Sequence, residues 1–351
     1  MKKLLKKVIS LIVITMIMGT CFIGCGSSGS GKELNLICWS EYIPDSVLKS
    51  FEEETGITVN LTTYTTADEM LAKVQSAAEG TYDMIIAPQV NTSILNAQGM
   101  LEKLDKDKIK NMSNVDEIYM KNELDPNNDY SIPYLYTSLV IAVDTDVIKD
   151  DIKSYKDLLD PKYKDQMVIV EDARTVVTAS LRAEGYDVND TSDEALKAAE
   201  EYMNELKPNI HSFNGDSPKT LLLNGECPIG LIYGGECALA MDEKSSIVGI
   251  YPEEGCYYEM DVMMKTKGAK NSENVEEFMN YILDAKIGAE IAKAYPYISP
   301  NKAAKEYLDE EYLNNDIKNP PKEELEKAQQ LTDLGDDLTK VVDLWNQFKT
   351  K

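Results

Sequence analysis

The sequence predicts an α/β protein of two domains, and three observations carry that expectation. From Glu33 onward, short apolar runs alternate with stretches of helical period. The run Asp83-Met84-Ile85-Ile86-Ala87 is short and continuously apolar, as a parallel-sheet strand covered on both faces would be. The length of 351 residues exceeds what one core usually organises.

Leu34, Leu36 and Cys38 alternate as a first strand, which runs into Cys38-Trp39-Ser40-Glu41-Tyr42-Ile43-Pro44. There, two large aromatics flank a carboxylate. Trp39 and Tyr42 offer ring faces that attract an ammonium by ~0.5–1 kcal/mol when exposed and ~2 kcal/mol when desolvated, and Glu41 adds a full charge. The stretch reads as a recognition loop for a cation, or else as strand-end aromatics covering a core. Strand alternating with helix calls for crossover connections, and in such sheets ligands bind beyond the carboxyl ends of strands, which favours the first reading.

Asp45 is expected to cap a helix with Val47, Leu48 and Phe51 on one face and Gly56 as its stop. Ile57–Leu61 comes next as a second strand. Met70, Leu71, Val74 and Ala78 mark a helix that ends at Gly80. After the turn cluster Asp125–Asp129, the strand-prone run Tyr130–Val143 reads as the first crossing between domains. A second α/β unit starts with strand Met167–Val170, and Glu171-Asp172-Ala173-Arg174 opens its helix. Thr191 and Glu194 form a capping box before Ala195, Leu196, Ala199, Met203 and Leu206. Pro228–Gly235 is a strand ending in a glycine turn, and Met260–Met264 is a strand returning to the first domain. Amphipathic helices Val275–Ile282 and Leu338–Phe348 finish the chain. The stripe Leu338, Val341, Trp345 and Phe348 reads as core.

Composition narrows the function classes. Sixty-one acidic against 36 basic residues give a net charge of −25 spread along the chain. No basic patch is available for phosphate contacts, so no nucleic-acid partner is expected. An acidic field attracts cations, although it also serves solubility alone. His211 is the only histidine and no HExxH pattern occurs. Cys38, Cys227, Cys237 and Cys256 are spread without a CxxC spacing, so neither metal nor cofactor is implied; a disulfide among the last three stays open.

At the N-terminus, Lys2, Lys3, Lys6 and Lys7 precede the apolar run Val8–Gly24, as in a secretory signal; an uncleaved membrane anchor is the alternative. Phe22-Ile23-Gly24-Cys25 resembles a bacterial lipobox. Residues 1–24 are therefore expected to be a lipoprotein signal peptide, with Cys25 lipidated and 25–32 a flexible Gly/Ser tether.

Taken together, these residues resemble the spermidine/putrescine-binding proteins of polyamine importers. Trp39-Ser40-Glu41-Tyr42 is similar to that family's Trp-Ser/Thr-acid-Tyr opening, and Phe51–Val59 to its first helix and second strand. Asp125–Tyr134, Asp172-Ala173-Arg174, Pro208-Asn209-Ile210, Met260-Asp261 and Pro300-Asn301 occur in the same order. The resemblance implies a two-lobed, periplasmic-binding-protein-like (venus flytrap) α/β fold, each lobe a mixed sheet flanked by helices and joined by two crossover segments. Lobe 1 would comprise 33–138 plus 262–303, and lobe 2 would comprise 139–261 plus 304–351.

For function the resemblance implies a non-enzymatic, monomeric solute-binding lipoprotein on the extracytoplasmic face of the membrane. It would capture spermidine or putrescine for an ABC permease, without a cofactor. By the same resemblance Trp39 and Tyr42 line the methylene chain, with Ser40 between them and Glu41 beside an amine. Asp172 and Asp261 are the main carboxylate anchors, Tyr233 stacks, Tyr297 is a late aromatic wall, and Glu236 matches an acid of putrescine-type members. Thr175 stands where spermidine-type members carry a second carboxylate, and Glu259 replaces an aromatic wall residue. Gln89 falls where a serine is usual, and Tyr136 lines the cleft or packs beneath it. The preferred polyamine stays open. Alternatives are a receptor for another organic cation, choline-like or thiamine, and a surface hydrolase using Asp172 and Asp261. No nucleophile elbow or metal motif supports the hydrolase.

Overall fold

The computed structural model describes residues 32–120 and 124–350; the expected signal peptide, Cys25 and all of the tether but Lys32 lie outside the described residues. Labels are given to helices of eight residues or more. The first lobe opens with β1 (Glu33–Trp39), α1 (Asp45–Thr55), β2 (Thr58–Tyr64), α2 (Ala67–Ser76), β3 (Met84–Pro88) and α3 (Val90–Ala97). The long strand β4 (Ser131–Asp144) then leads to β5 (Met167–Ile169), α4 (Ala173–Ala183), α5 (Asp193–Leu206), β6 (Ile210–Phe213), β7 (Ile229–Tyr233), α6 (Gly234–Glu243) and β8 (Ile247–Ile250). The chain returns along β9 (Tyr257–Lys265) into α7 (Ser272–Ile282) and α8 (Ala285–Ala294), and ends with β10 (Gln329–Gln330) and α9 (Leu338–Thr350).

Strand order is β2-β1-β3-β9-β4-β7-β5-β6, with β10 added to β9 and β8 to β4. β1 pairs in parallel with β2 and β3, and β5 with β6 and β7, as strands joined by crossover helices must. The antiparallel pair β4 and β9 joins the two halves. Ser131–Ser138 lie against β9, whereas Leu139–Val143 lie against β7, so one 14-residue strand belongs to both sheets. Its start is held by Asp125, whose carboxylate accepts from the backbone N–H groups of Asp129, Tyr130 and Ser131 at 2.9 Å each.

Each lobe has its own core. In the first, Leu34, Leu36, Phe51, Met84 and Ile86 pack with Phe278 and Met279 of α7 and Ile291 of α8. In the second, Leu139, Ile141, Met167, Ile169 and Leu231 pack with Val177, Met203, Val341, Trp345 and Phe348. The apolar stripe of α9 is therefore core at Val341, Trp345 and Phe348, whereas Leu338 in its first turn is 38% exposed.

Several local expectations shift. Gly56 does end α1, at φ 74° with its N–H on the Glu52 carbonyl, but Pro44 occupies the N-cap. Asp45 instead lies in the first turn, where its charge complements the helix dipole. α2 stops at Ser76, short of Gly80. The N-cap of α5 is Ser192, accepting from Ala195 N–H, while the Thr191 hydroxyl donates to Asp337. Gly234 and Gly235 form no turn; they begin α6. The four cysteines among the described residues are buried free thiols, and burial pushes those of Cys237 and Cys256 up to about 12. Among the described residues no helix is long and apolar enough to cross a membrane.

Candidate functional site

Where the two halves of the sheet meet, the carboxyl ends of β1, β5 and β7 face a cleft enclosing about 910 Å³ of empty space, its open mouth included. Trp39, Ser40, Glu41, Tyr42, Asp172, Tyr233, Glu236, Glu259, Asp261 and Tyr297 all line it. Gln89 and Tyr136 do not.

Asp261 of β9 is the best-held of these groups. It is 5% exposed, and its Oδ1 accepts from Trp39 Nε1 at 3.2 Å while Oδ2 accepts from the Tyr42 hydroxyl at 2.5 Å. Local backbone makes both reach it. Trp39 ends β1, and Glu41 then takes the left-handed conformation, φ 51°, which is uncommon outside glycine. The reversal brings Tyr42 back against Tyr134 and Tyr297, edge-on at 5.3 and 5.4 Å. Tyr134 also donates its hydroxyl to the Tyr42 carbonyl at 2.7 Å. The two glycines opening α6 have a steric role here. A Cβ at Gly235 would lie 2.6 Å from the Tyr297 ring, and one at Gly234 would lie 2.9 Å from Ser138 Oγ. Only glycine lets this helix start beneath the aromatic wall.

The other carboxylates differ in how they are engaged. Asp172 is the N-cap of α4, its Oδ1 accepting from Thr175 N–H at 2.7 Å, so part of its acceptor capacity holds the helix. Thr175 is occupied with Tyr257, hydroxyl to hydroxyl at 2.7 Å. Glu236 is bound by Lys219 Nζ at 2.9 and 3.2 Å. That ion pair already matches the charge Glu236 would offer a diamine. Glu259 is partly buried, and among the described residues its carboxylate makes no hydrogen bond or ion pair. Burial pushes the Glu259 carboxyl up to about 8, with repulsion from Asp261 and Asp172 adding and Arg174 opposing. Burial likewise pushes Asp261 up to about 6 against its hydrogen bonds from Tyr42 and Trp39.

Past Trp39, Asp172, Tyr233 and Glu259 the cleft continues into a second chamber of about 960 Å³, also open to solvent. Its walls carry Leu71, Val90 and Ile94 on one side and Leu331, Leu334 and Leu338 on the other, with Asp68, Arg174 and Asp333 among them.

The two remaining candidates lie elsewhere. Gln89 is buried and accepts from Gln330 Nε2 at 2.8 Å, because its position just after β3 turns it towards β10. Tyr136 packs beneath the cleft, between Tyr119 at 4.6 Å and Tyr258 at 6.4 Å. Sequence reading missed Thr65 and Thr66 just past β2, Gly215 and Asp216 just past β6, and Thr137 of β4, all of which line the cleft. The strand-end rule that singled out Trp39–Tyr42 would have found the first four. Thr137 is 8% exposed, and its Oγ1 has no hydrogen-bond partner among the described residues.

Aromatic faces around carboxylates are the chemistry that suits an organic cation. Comparison with known proteins agrees in kind. Residues 46–322 match the family profile described as bacterial extracellular solute-binding protein. The spermidine/putrescine-binding periplasmic protein of Salmonella typhimurium is 33% identical over 299 residues, spanning 85% of this chain and 86% of that one. The putrescine/cadaverine-binding protein of Pseudomonas aeruginosa is 25% identical, over 96% of this chain and 99% of its own. Among solved structures, the spermidine/putrescine ABC transporter substrate-binding protein of Streptococcus pneumoniae superposes with a TM-score of 0.81 at 26% identity, covering 91% of this chain and 98% of that chain.

Proposed function

The chain belongs to the bacterial extracellular solute-binding proteins, and from that membership we propose that it captures polyamines outside the cytoplasm and delivers them to an ABC permease. The observation that carries this reading to a site is Asp261, buried, charged and framed by Trp39 and Tyr42 at the meeting of the two lobes. An ammonium placed there forms a charge-assisted hydrogen bond, about twice as strong as a neutral one. Methylenes lying along Trp39, Tyr42, Tyr233 and Tyr297 shed water at ~0.8 kcal/mol per buried CH₂.

In this reading the lobes, 33–138 plus 262–303 and 139–261 plus 304–351, move about β4, the strand shared by both sheets, and its partner β9. The walls of the cleft come from both, so closure would shut the ligand from water. The protein works as a monomer anchored by lipid at Cys25, and binds without catalysing a reaction.

Calorimetric titration of the purified protein with putrescine, spermidine, spermine and choline tests the proposal. Saturable heat with at least one polyamine and none with choline is expected. No heat with any polyamine, at concentrations that detect micromolar binding, would refute it.

A further inference from the structure

We propose that Glu259 is the second ammonium anchor of the cleft and that, together with Asp261, it reads the separation of two amines along the ligand. The inference rests on the polyamine reading above and names the part of a polyamine the site measures.

Geometry supplies the ruler. Glu259 and Asp261 stand two apart on β9, so both side chains leave the same face of the strand, and both line the cleft. Two residues of strand rise about 6.6 Å. With ordinary bond lengths, an extended run of three or four methylenes separates its terminal nitrogens by about 5–6 Å. A strand repeat and a diaminopropane or diaminobutane unit are therefore nearly commensurate.

The neighbouring acids do not fill this role equally well. Asp172 holds the start of α4, Glu236 is on Lys219, and Glu41 is exposed. Glu259 alone of the partly buried cleft acids has a carboxylate with no hydrogen bond or ion pair among the described residues. Directly across the ladder from it stands Thr137, whose buried hydroxyl likewise makes no hydrogen bond among the described residues. Arg174 faces Glu259 from α4 but commits its guanidinium to Asn189 at 2.6 Å. It also lines the chamber beyond, where the exposed carboxylates Asp68 and Asp333 stand among aliphatic side chains. The ligand class that fits is a linear α,ω-diamine, or the diamine end of a longer polyamine, with three or four methylenes between its nitrogens.

The test is titration of the wild-type protein, Glu259→Gln, Glu259→Asp and Asp172→Asn against 1,3-diaminopropane, putrescine, cadaverine and butylamine. A charged hydrogen bond of this kind corresponds to about 10- to 100-fold in affinity, so wild type should prefer putrescine over butylamine by about that factor. Glu259→Gln should erase the preference while leaving butylamine within about threefold. Glu259→Asp, one methylene shorter, should retain the second-charge preference and move the optimum towards cadaverine. Asp172→Asn keeps the helix cap, since asparagine caps as well as aspartate, and should weaken putrescine and butylamine alike, leaving their ratio as in wild type. Equal weakening of putrescine and butylamine by Glu259→Gln, or loss of the preference in Asp172→Asn but not in Glu259→Gln, would overturn the inference. Failure of wild type to bind any of the diamines or longer polyamines would instead overturn the polyamine reading and this inference with it.

Discussion

Replacing Asp261 with asparagine separates the charge at the centre of the cleft from the hydrogen bonds that hold it. The wild-type carboxylate accepts from Trp39 Nε1 on one oxygen and from the Tyr42 hydroxyl on the other. Indole N–H can only donate, whereas a tyrosine hydroxyl can turn and accept. Asparagine therefore fits with its oxygen towards Trp39 and its amide towards Tyr42, and the wall survives. What disappears is the charge proposed to pair with an ammonium. Removing one member of a buried ion pair costs about 3–5 kcal/mol, so polyamine affinity should fall by roughly two to three and a half orders of magnitude. The ligand-free protein should respond in the opposite sense. Holding Asp261 near 6 rather than its ordinary 3.8 corresponds to about 3 kcal/mol of unfavourable burial at neutral pH, which the neutral amide removes. The assay is titration calorimetry paired with thermal melting of the free protein at pH 7.5. Affinity within threefold of wild type, or a free-protein melting temperature several degrees lower, would refute the reasoning.

Two further outcomes are expected. Asp261 and Glu259 both have folded-state values above their ordinary ones, about 6 against 3.8 and about 8 against 4.5, so the native state holds protons the unfolded chain has released. Their contribution to stability is full below about pH 4, declines as pH rises, and is gone above about pH 8. Melting of the ligand-free protein should rise from pH 8.5 to pH 6 more steeply in wild type than in an Asp261→Asn, Glu259→Gln double variant; parallel slopes would argue against the burial of these acids. Separately, Cys25→Ser should move the protein from the membrane fraction to the soluble fraction of an expressing bacterium, and continued membrane association would count against lipid attachment at Cys25.

The sequence by itself determined what depends on neighbours along the chain or on composition. Period and the Gly56 stop announced β1, α1 and β2, continuous apolarity announced β3, and the run Tyr130–Val143 announced a long strand crossing between the lobes. The acidic balance and the Trp39–Tyr42 stretch pointed to a cation because charge and ring faces are properties of the residues themselves. Tertiary structure alone decided how those residues are used. Trp39 reaches Asp261 across 222 positions, a pairing that no local pattern records. Glu236 looks like any other acid until Lys219 is folded onto it, and Asp172 until its carboxylate caps α4. Gly234 and Gly235 read as a turn until Ser138 and the Tyr297 ring explain why a helix must begin without side chains there. Tyr136 and Gln89 differ from true wall residues only in which way the finished sheet turns them. Periodicity encodes which face of an element is apolar, whereas a binding cleft is made where two such elements from distant parts of the chain leave a gap.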